Sequence, residues 1–417
     1  MSGSRDERAA QPHVAREAMR QYQRQFAAPA SEPLAVAWAP GRINLIGEHT
    51  DYNEGYVLPA AINRLAALAG RPANEPYATL YSTRHRELAR VALTDAAHDD
   101  GVTPPPLWAR YVLAVWRQLE RVGATPPTPG FSAVVHGNVP LGRGLSSSAA
   151  LEVAAAMFIR ALGGAALEPM ALARLCQQAE QEGAGVRVGI MDQAASCLGQ
   201  PHHALLLDCR TLAYTRLPVS LPGAVWVVFD TGAPHTLAAS EYNVRRGQCE
   251  AAVARLARVL ERESAGRSIR ALRDVTAGDL ARHSSLLDAT LLRRARHVVS
   301  ENERTLRAAE VVRAGDAVAM GDLLNASHAS LRDDYAVSGR ELDAAIQIAQ
   351  ETPGIFGARM MGAGFGGSII ALARRGAQPA LHARLSEEYP RRTGRTGRVL
   401  ACAITGQVGA RQSLVGA

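Results

Sequence analysis

Residues 140–156 read PLGRGLSSSAALEVAAA, and the fold class turns on that stretch. Gly142 and Gly144 let the main chain turn tightly and approach a ligand with no Cβ in the way. Three hydroxyls follow, at Ser146, Ser147 and Ser148. A run of strong helix formers then begins. The free N–H groups of the turn therefore sit at a helix N-terminus, where the macrodipole favours an anion. A serine cap on a glycine turn would explain the same residues without any ligand.

Working outward, Phe131–His136 reads as a strand that Pro140 and the glycines break. Pro169–Glu182 reads as a helix and 183–189 as a loop. Strands are expected at Leu34–Trp38, Tyr56–Ile62, Tyr77–Ser82, Ala204–Asp208 and Val225–Asp230. Leu107–Val122 is an amphipathic helix by its apolar spacing. The start, 1–31, reads as a frayed end followed by a helix. LPVSLPG at 217–223 carries two prolines and suggests a boundary between domains 1–222 and 223–417. Beyond it come helical stretches at 240–263, 287–313, 315–330 and 339–351. Strands follow at Ile355–Met360 and Ser368–Ala373, then a helix near 377–388 and a last strand near Arg398–Ile404. Strands and helices mix without strict βαβ alternation, which implies an α+β chain with antiparallel or mixed sheets.

The chain has 417 residues, and at about 150 per domain that suggests two or three domains. It is 47% hydrophobic and 20% charged, as a globular protein is. All 46 of its basic side chains are arginine. Without lysine there is no Walker P-loop, no protein kinase of the usual type and no Schiff-base enzyme. The net charge of +7 is spread along the chain and interleaved with acids, so nucleic acid is not an expected partner. Five widely spaced cysteines with no CxxC argue against a disulfide framework or zinc cluster. They favour a reducing, cytoplasmic setting. No apolar run is long enough for a membrane helix, and a monomer is the expectation, with an oligomer left open.

Arg42, Glu48, His49 and Asp51 fall within ten residues of one loop, 41–55, punctuated by Gly41, Gly47 and Gly55. Polar groups this dense are costly to bury unless they pair or bind a ligand, and hydroxyl-rich ligands want such a mix. An internally salt-bridged loop is the other reading. Asp192, in VGIMDQAAS, is either a helix cap or a reacting group. Glu180 lies near a helix C-terminus, where a carboxylate opposes the dipole and a metal ion would offset the cost. A second glycine-rich stretch, 357–372, lies between two apolar strands. Two such segments in the two halves suggest a ligand held between domains.

These segments resemble a known family. GRINLIGEHTDYNEGYVLP (41–59) is similar to the galactokinase signature, NVPLGRGLSSSAALEVA (138–154) to the ATP motif of the GHMP kinases, and MGAGFGGS (361–368) to their third motif. GIMDQ (189–193), SEYNVRRGQCE (240–250), RRARHVVSENER (293–304) and SHASLRDDYAVS (327–338) add to the likeness. The resemblance spans roughly 34–375. It implies a two-domain GHMP kinase fold, with a ribosomal S5 domain 2-like N-terminal domain and a ferredoxin-like C-terminal domain. It implies ATP-dependent phosphorylation of the C1 hydroxyl of α-D-galactose, with ATP and Mg²⁺ as cofactors.

By matching position, Glu48, His49, Asp51, Gly189 and Tyr242 would bind the sugar. Asp192 would be the base and Arg42 the charge-stabilising group. Gly142, Arg143, Gly144, Leu145, Ser146, Ser147 and Ser148 would cradle ATP, and Ser148 and Glu180 would hold Mg²⁺. The chain departs from the pattern at Asp230-Thr231-Gly232, Val188, Ala194-Ala195, Met361 and Ser368. The change at 230–232 leaves L-arabinose or N-acetylgalactosamine as alternative sugars; separately, a non-catalytic galactose sensor on the same scaffold is the alternative function. Met361 is placed to affect ATP affinity.

Overall fold

The computed structural model of the protein describes residues 11–29, 31–93, 104–234, 238–263 and 266–413. Of the frayed start and helix expected over 1–31, residues 1–10 lie outside them. The chain opens with helix α1 (His13–Phe26), β1 (Leu34–Asn44), β2 (Tyr56–Val57), β3 (Pro59–Ala73), β4 (Tyr77–Ser82) and β5 (Glu87–Ala92). Next come α2 (Leu107–Arg121), β6 (Gly130–Gly137), α3 (Ser147–Ala161), α4 (Pro169–Ala184), α5 (Met191–Leu198), β7 (His203–Asp208) and β8 (Tyr214–Pro218). The second half runs β9 (Ala224–Asp230), α6 (Ala238–Glu263), α7 (Ala277–His283), α8 (Ala289–Ala314), α9 (Ala317–Asp333) and α10 (Arg340–Gln350). It ends with β10 (Ile355–Met361), β11 (Ser368–Arg374), α11 (Gln378–Thr393), β12 (Arg398–Leu400) and β13 (Gly409–Ser413).

A six-stranded sheet takes the order β13-β1-β3-β6-β4-β5, a four-stranded one β10-β11-β9-β12 and a three-stranded one β2-β7-β8. Pairing is antiparallel except between β4 and β6. Helices pack on both larger sheets, giving the expected α+β architecture.

α3 carries the serine-rich turn at its N-terminus, and nearly every side chain from Ala149 to Ile159 is buried. A helix apolar all round must lie inside a core. This one packs between β1 and the helices α2, α4 and α5, so the turn is anchored to the buried core of the first half. α8 is set by Asp288, whose carboxylate caps Thr290 and Leu291, and by Gly315 in the left-handed region at its end.

β1 runs on past Trp38, where the strand was expected to end, through Pro40-Gly41 to Asn44. The register shifts between Pro40 and Arg42, a bulge that re-aims the side chains beyond it. A Cβ on Gly41 would lie 2.4 Å from the Leu145 carbonyl, so only glycine lets β1 pass this close to the serine-rich turn. β3 likewise extends past Ile62 to Ala73. Strands β5 and β8 and the short helices α5 and α7 were not anticipated.

The last strand expected near Arg398–Ile404 stops at Leu400. The chain then returns to the first sheet, where β13 pairs with β1 from Leu34↔Ser413 to Trp38↔Gly409. The expected division at 222/223 is crossed there. It is crossed again where Val311, Val312, Met320 and Leu324 of α8 and α9 join the core of the first half. The remaining core of the second half gathers Phe229, Leu256, Val298, Tyr335 and Tyr389.

Candidate active site

The bulge at Gly41 delivers Arg42, 4% exposed, to the mouth of the serine-rich turn. Its main-chain N–H donates to the Leu145 carbonyl at 3.2 Å. Its guanidinium grips Asp192 side-on, with Nε to Oδ1 at 2.7 Å and Nη2 to Oδ2 at 2.8 Å. Nη1 donates to the Gly144 carbonyl at 2.5 Å. The Ser146 hydroxyl donates to Asp192 as well. Asp192 does not cap α5: the cap residue is Ile190, and the carboxylate points at Arg42 and Ser146 instead. A bidentate pair of this kind fixes orientation as well as charge.

These groups face a cavity of about 670 Å³. Every site residue named from the sequence borders it: Arg42, Glu48, His49, Asp51, the turn Gly142–Ser148, Glu180, Gly189, Asp192 and Tyr242.

At one end lies the 47–56 loop. Asp51 accepts the Tyr52 N–H at 3.0 Å. Burial, with Asp192 and then Glu48 nearby, raises its pKa to about 7. Gly189 touches it, and a Cβ there would fall 2.0 Å from Asp51 Oδ2. The Tyr242 hydroxyl hydrogen-bonds the Gly189 main chain. Glu48, 2% exposed, accepts the Gly362 N–H at 2.9 Å and Arg359 Nη2 at 3.3 Å. Arg359 is wholly buried and also donates to the carbonyls of Asn44, Leu45 and Met360, so this end is clamped between the halves. His49 Nδ1 is 2.8 Å from the Tyr52 hydroxyl. Burial, then the proximity of His297 and Arg245, lowers its pKa to about 3 and keeps it neutral.

At the other end lies the N-terminus of α3. Gly142 and Gly144 have positive φ, and Ser146 is left-handed at φ 59°. Ser148 hydrogen-bonds Glu180, whose pKa burial raises to about 7. Gln193 Nε2 bridges Glu180 at 2.6 Å and the wholly buried Glu152 at 3.0 Å. Beyond the turn the wall becomes apolar and aromatic, with Trp108, Tyr111, Leu141, Leu151 and Val188.

Sequence reasoning missed this aromatic wall and the Gln193–Glu152 bridge. Tyr111 showed only as a member of an apolar helix face, and Trp108 was not singled out. Glu152 lies in an alanine-rich helix and carried no local signal of burial. Arg143 lines the cavity but turns aside, its Nη1 donating to the Ala233 carbonyl at 2.7 Å and its Nε 3.2 Å from Asp230.

The model of the "Galactokinase galactose-binding signature" matches residues 20–72, which include Arg42, Glu48, His49 and Asp51. The "GHMP kinases N terminal domain" matches 110–200 and "GHMP kinases C terminal" matches 308–391. A galactokinase of Chloroflexus aurantiacus is 45% identical over 370 residues, covering 89% of this chain and 92% of its own. This chain belongs to the galactokinase family.

The human galactokinase is 43% identical over 385 residues, 91% of this chain and 94% of its own. Lactococcus lactis galactokinase, solved with galactose, superimposes with a TM-score of 0.84 at 34% identity, over 95% of this chain and 98% of that one. A mevalonate kinase of Methanococcus jannaschii shares the fold at a TM-score of 0.61 and 16% identity, over 88% of this chain and 97% of that one. Within the galactokinase family, the departure at Asp230-Thr231-Gly232 lies off the cavity wall, with Asp230 paired to Arg143 and Arg398. Met361 is buried, and its carbonyl abuts Gly144.

Proposed function

We propose that the protein transfers the γ-phosphoryl group of ATP to the C1 hydroxyl of α-D-galactose. The observation that carries this reading is the Arg42–Asp192 pair, which sits in one cavity between the 47–56 loop and the serine-rich helix N-terminus. Phosphoryl transfer asks chiefly for alignment and charge neutralisation, and the pair is placed to serve both.

In this reading Glu48, His49, Asp51, Gly189 and Tyr242 hold the hexose. Glu48 is fixed by Gly362 and Arg359. Gly189 leaves room beside Asp51 that any side chain would fill. Ser146–Ser148 and the first-turn amides of α3 take the phosphates, which suits a chain with no lysine to offer. The wall of Trp108, Tyr111 and Leu141 takes the nucleobase by stacking and apolar contact.

Asp192 accepts the proton of the C1 hydroxyl as that oxygen bonds to the γ-phosphorus and the bridging oxygen departs with ADP. Arg42 holds the carboxylate in line and lends positive charge to the phosphoryl oxygens.

The donor set fits Mg²⁺. Ser148 and Glu180 offer hard oxygens side by side, and burial makes an unneutralised Glu180 costly. Among the described residues no group of three or more acidic, histidine or cysteine ligands gathers. That matches an ion completed by phosphate and water. Mg²⁺ would neutralise phosphate charge.

All five cysteines are unpaired, which supports a reducing compartment, and no described helix is long and apolar enough to cross a membrane. ADP release measured over a panel of monosaccharides tests the function. Galactose is expected to give the fastest turnover, and release with L-arabinose or N-acetylgalactosamine alone would overturn the substrate.

A further inference from the structure

The stretch RRARHVVSENER (293–304) has no part in the chemistry above, and none of its residues lines the cavity. It lies on α8, where His297, Glu301 and Thr305 recur at helical spacing with Asn302 beside them, so they share one face. All four are buried, and that face meets the main chain of the sugar loop.

Glu301 Oε1 accepts the N–H of Gly47 at 3.0 Å, the N–H of Glu48 at 3.2 Å and the Ser327 hydroxyl at 2.8 Å. Its Oε2 accepts Arg304 Nε at 2.8 Å. Two successive amides aimed at one oxygen form an anion-binding nest, and here the anion belongs to the chain itself. His297 Nε2 lies 3.1 Å from the Glu48 carbonyl and its Nδ1 2.9 Å from the Ser330 hydroxyl. Burial lowers its pKa to about 4 and keeps it neutral. Its one ring proton therefore sits on Nε2, because a carbonyl can only accept. Asn302 Oδ1 accepts the Tyr56 N–H at 2.9 Å, at the far end of the loop.

The loop needs this hold. His49 sits at φ 62° and Gly47 at φ 95°, and a non-glycine residue in that region persists only where its surroundings over-determine it. Glu48 and His49 reach the cavity from this backbone. A shift of the main chain between them would misplace both.

We infer that Glu301, assisted by His297 and Asn302, is a positioning residue that templates the backbone of the sugar loop from the opposite half of the molecule and so sets sugar affinity independently of the nucleotide. The inference rests on the galactose reading above. It goes beyond that reading in giving α8 a role in sugar binding.

The test is calorimetric titration of the full chain with D-galactose and, separately, with ADP plus Mg²⁺. E301Q keeps the shape and one acceptor oxygen but loses the charge. It is expected to weaken galactose binding about tenfold, since hydrogen bonds to a charged group are lost, and to leave ADP binding near the wild-type value. E301A is expected to weaken galactose further, which makes glutamine a partial rescue. Asn302→Ala, a milder change at the other end of the loop, should weaken galactose a few-fold and spare ADP. It carries the test if the Glu301 variants do not fold. Equal losses for both ligands, or unchanged galactose affinity in folded variants, would overturn the inference. Wild-type protein that binds ADP but not galactose would instead sink the substrate reading.

Discussion

The two ends of the cavity are built from different materials. The proposed sugar end is a loop fixed by side chains from elsewhere in the chain: Arg359 holds the Glu48 carboxylate, Glu301 holds the main chain at Gly47 and Glu48, and Asp51 packs against the bare Gly189. The proposed phosphate end is made largely of main chain, with positive-φ glycines and the open amides of α3. A hexose presents fixed hydroxyl directions, and rejecting the wrong one requires rigid partners. A triphosphate presents charge in many directions, and dipoles plus an ion suffice. The difference shows how a chain without lysine can still be read as a kinase.

The seam between the ends offers the sharpest test. Asp192→Asn should lower kcat by about a thousandfold while galactose affinity, read by calorimetry, stays near the wild-type value. A variant that turns over normally would show that the seam does no chemistry.

On the sugar side, Gly189→Ala places a carbon 2.0 Å from Asp51 Oδ2. The galactose KM should rise by roughly ten- to a hundredfold, with the ATP KM little changed. If both constants rise together, the two ends are not separable.

On the phosphate side, two glycines of one turn can be set against each other. A Cβ on Gly144 would meet the Met361 carbonyl at 2.6 Å, whereas one on Gly142 meets nothing within 4 Å. Gly142→Ala should cost only the left-handed strain of about 1 kcal/mol, seen as a melting shift of a few degrees. Gly144→Ala should add a clear rise in the ATP KM. Equal effects would mean that backbone strain alone governs the turn.

A last effect is a pH dependence. The Asp51 pKa is raised from 3.8 to about 7 by burial, Asp192 and Glu48. Between those values the folded state binds more protons than the unfolded chain, so this group's contribution to stability falls as pH rises through that window. Asp51→Asn removes the slope. In denaturant melts the variant should gain stability relative to wild type from pH 5 to pH 8. A constant difference would place Asp51 in ordinary solvent.

Much of the phosphate end was legible in the sequence because its signals are local: glycines, hydroxyls and a helix start within one segment. The 47–56 loop was legible as a polar cluster for the same reason. Its support was not. Glu301 and His297 lie about 250 residues away, and the sequence marked their segment only as a helix resembling the family, with nothing local to tie it to the loop. Gly41 misled by the opposite route, since the residue that punctuates a loop in the sequence became part of a bulged strand with Leu145 against it. β13 is a short polar segment, and only pairing with β1 makes it a strand.

That pairing has a consequence for how the molecule is made. β1 emerges from the ribosome early, and the strand that covers its outer edge is translated long after it. Through synthesis the border of the first sheet stays an open ladder, ready to recruit a neighbouring polypeptide. Ribosomal stalling or proteolytic loss short of residue 409 should therefore yield sticky, self-associating fragments.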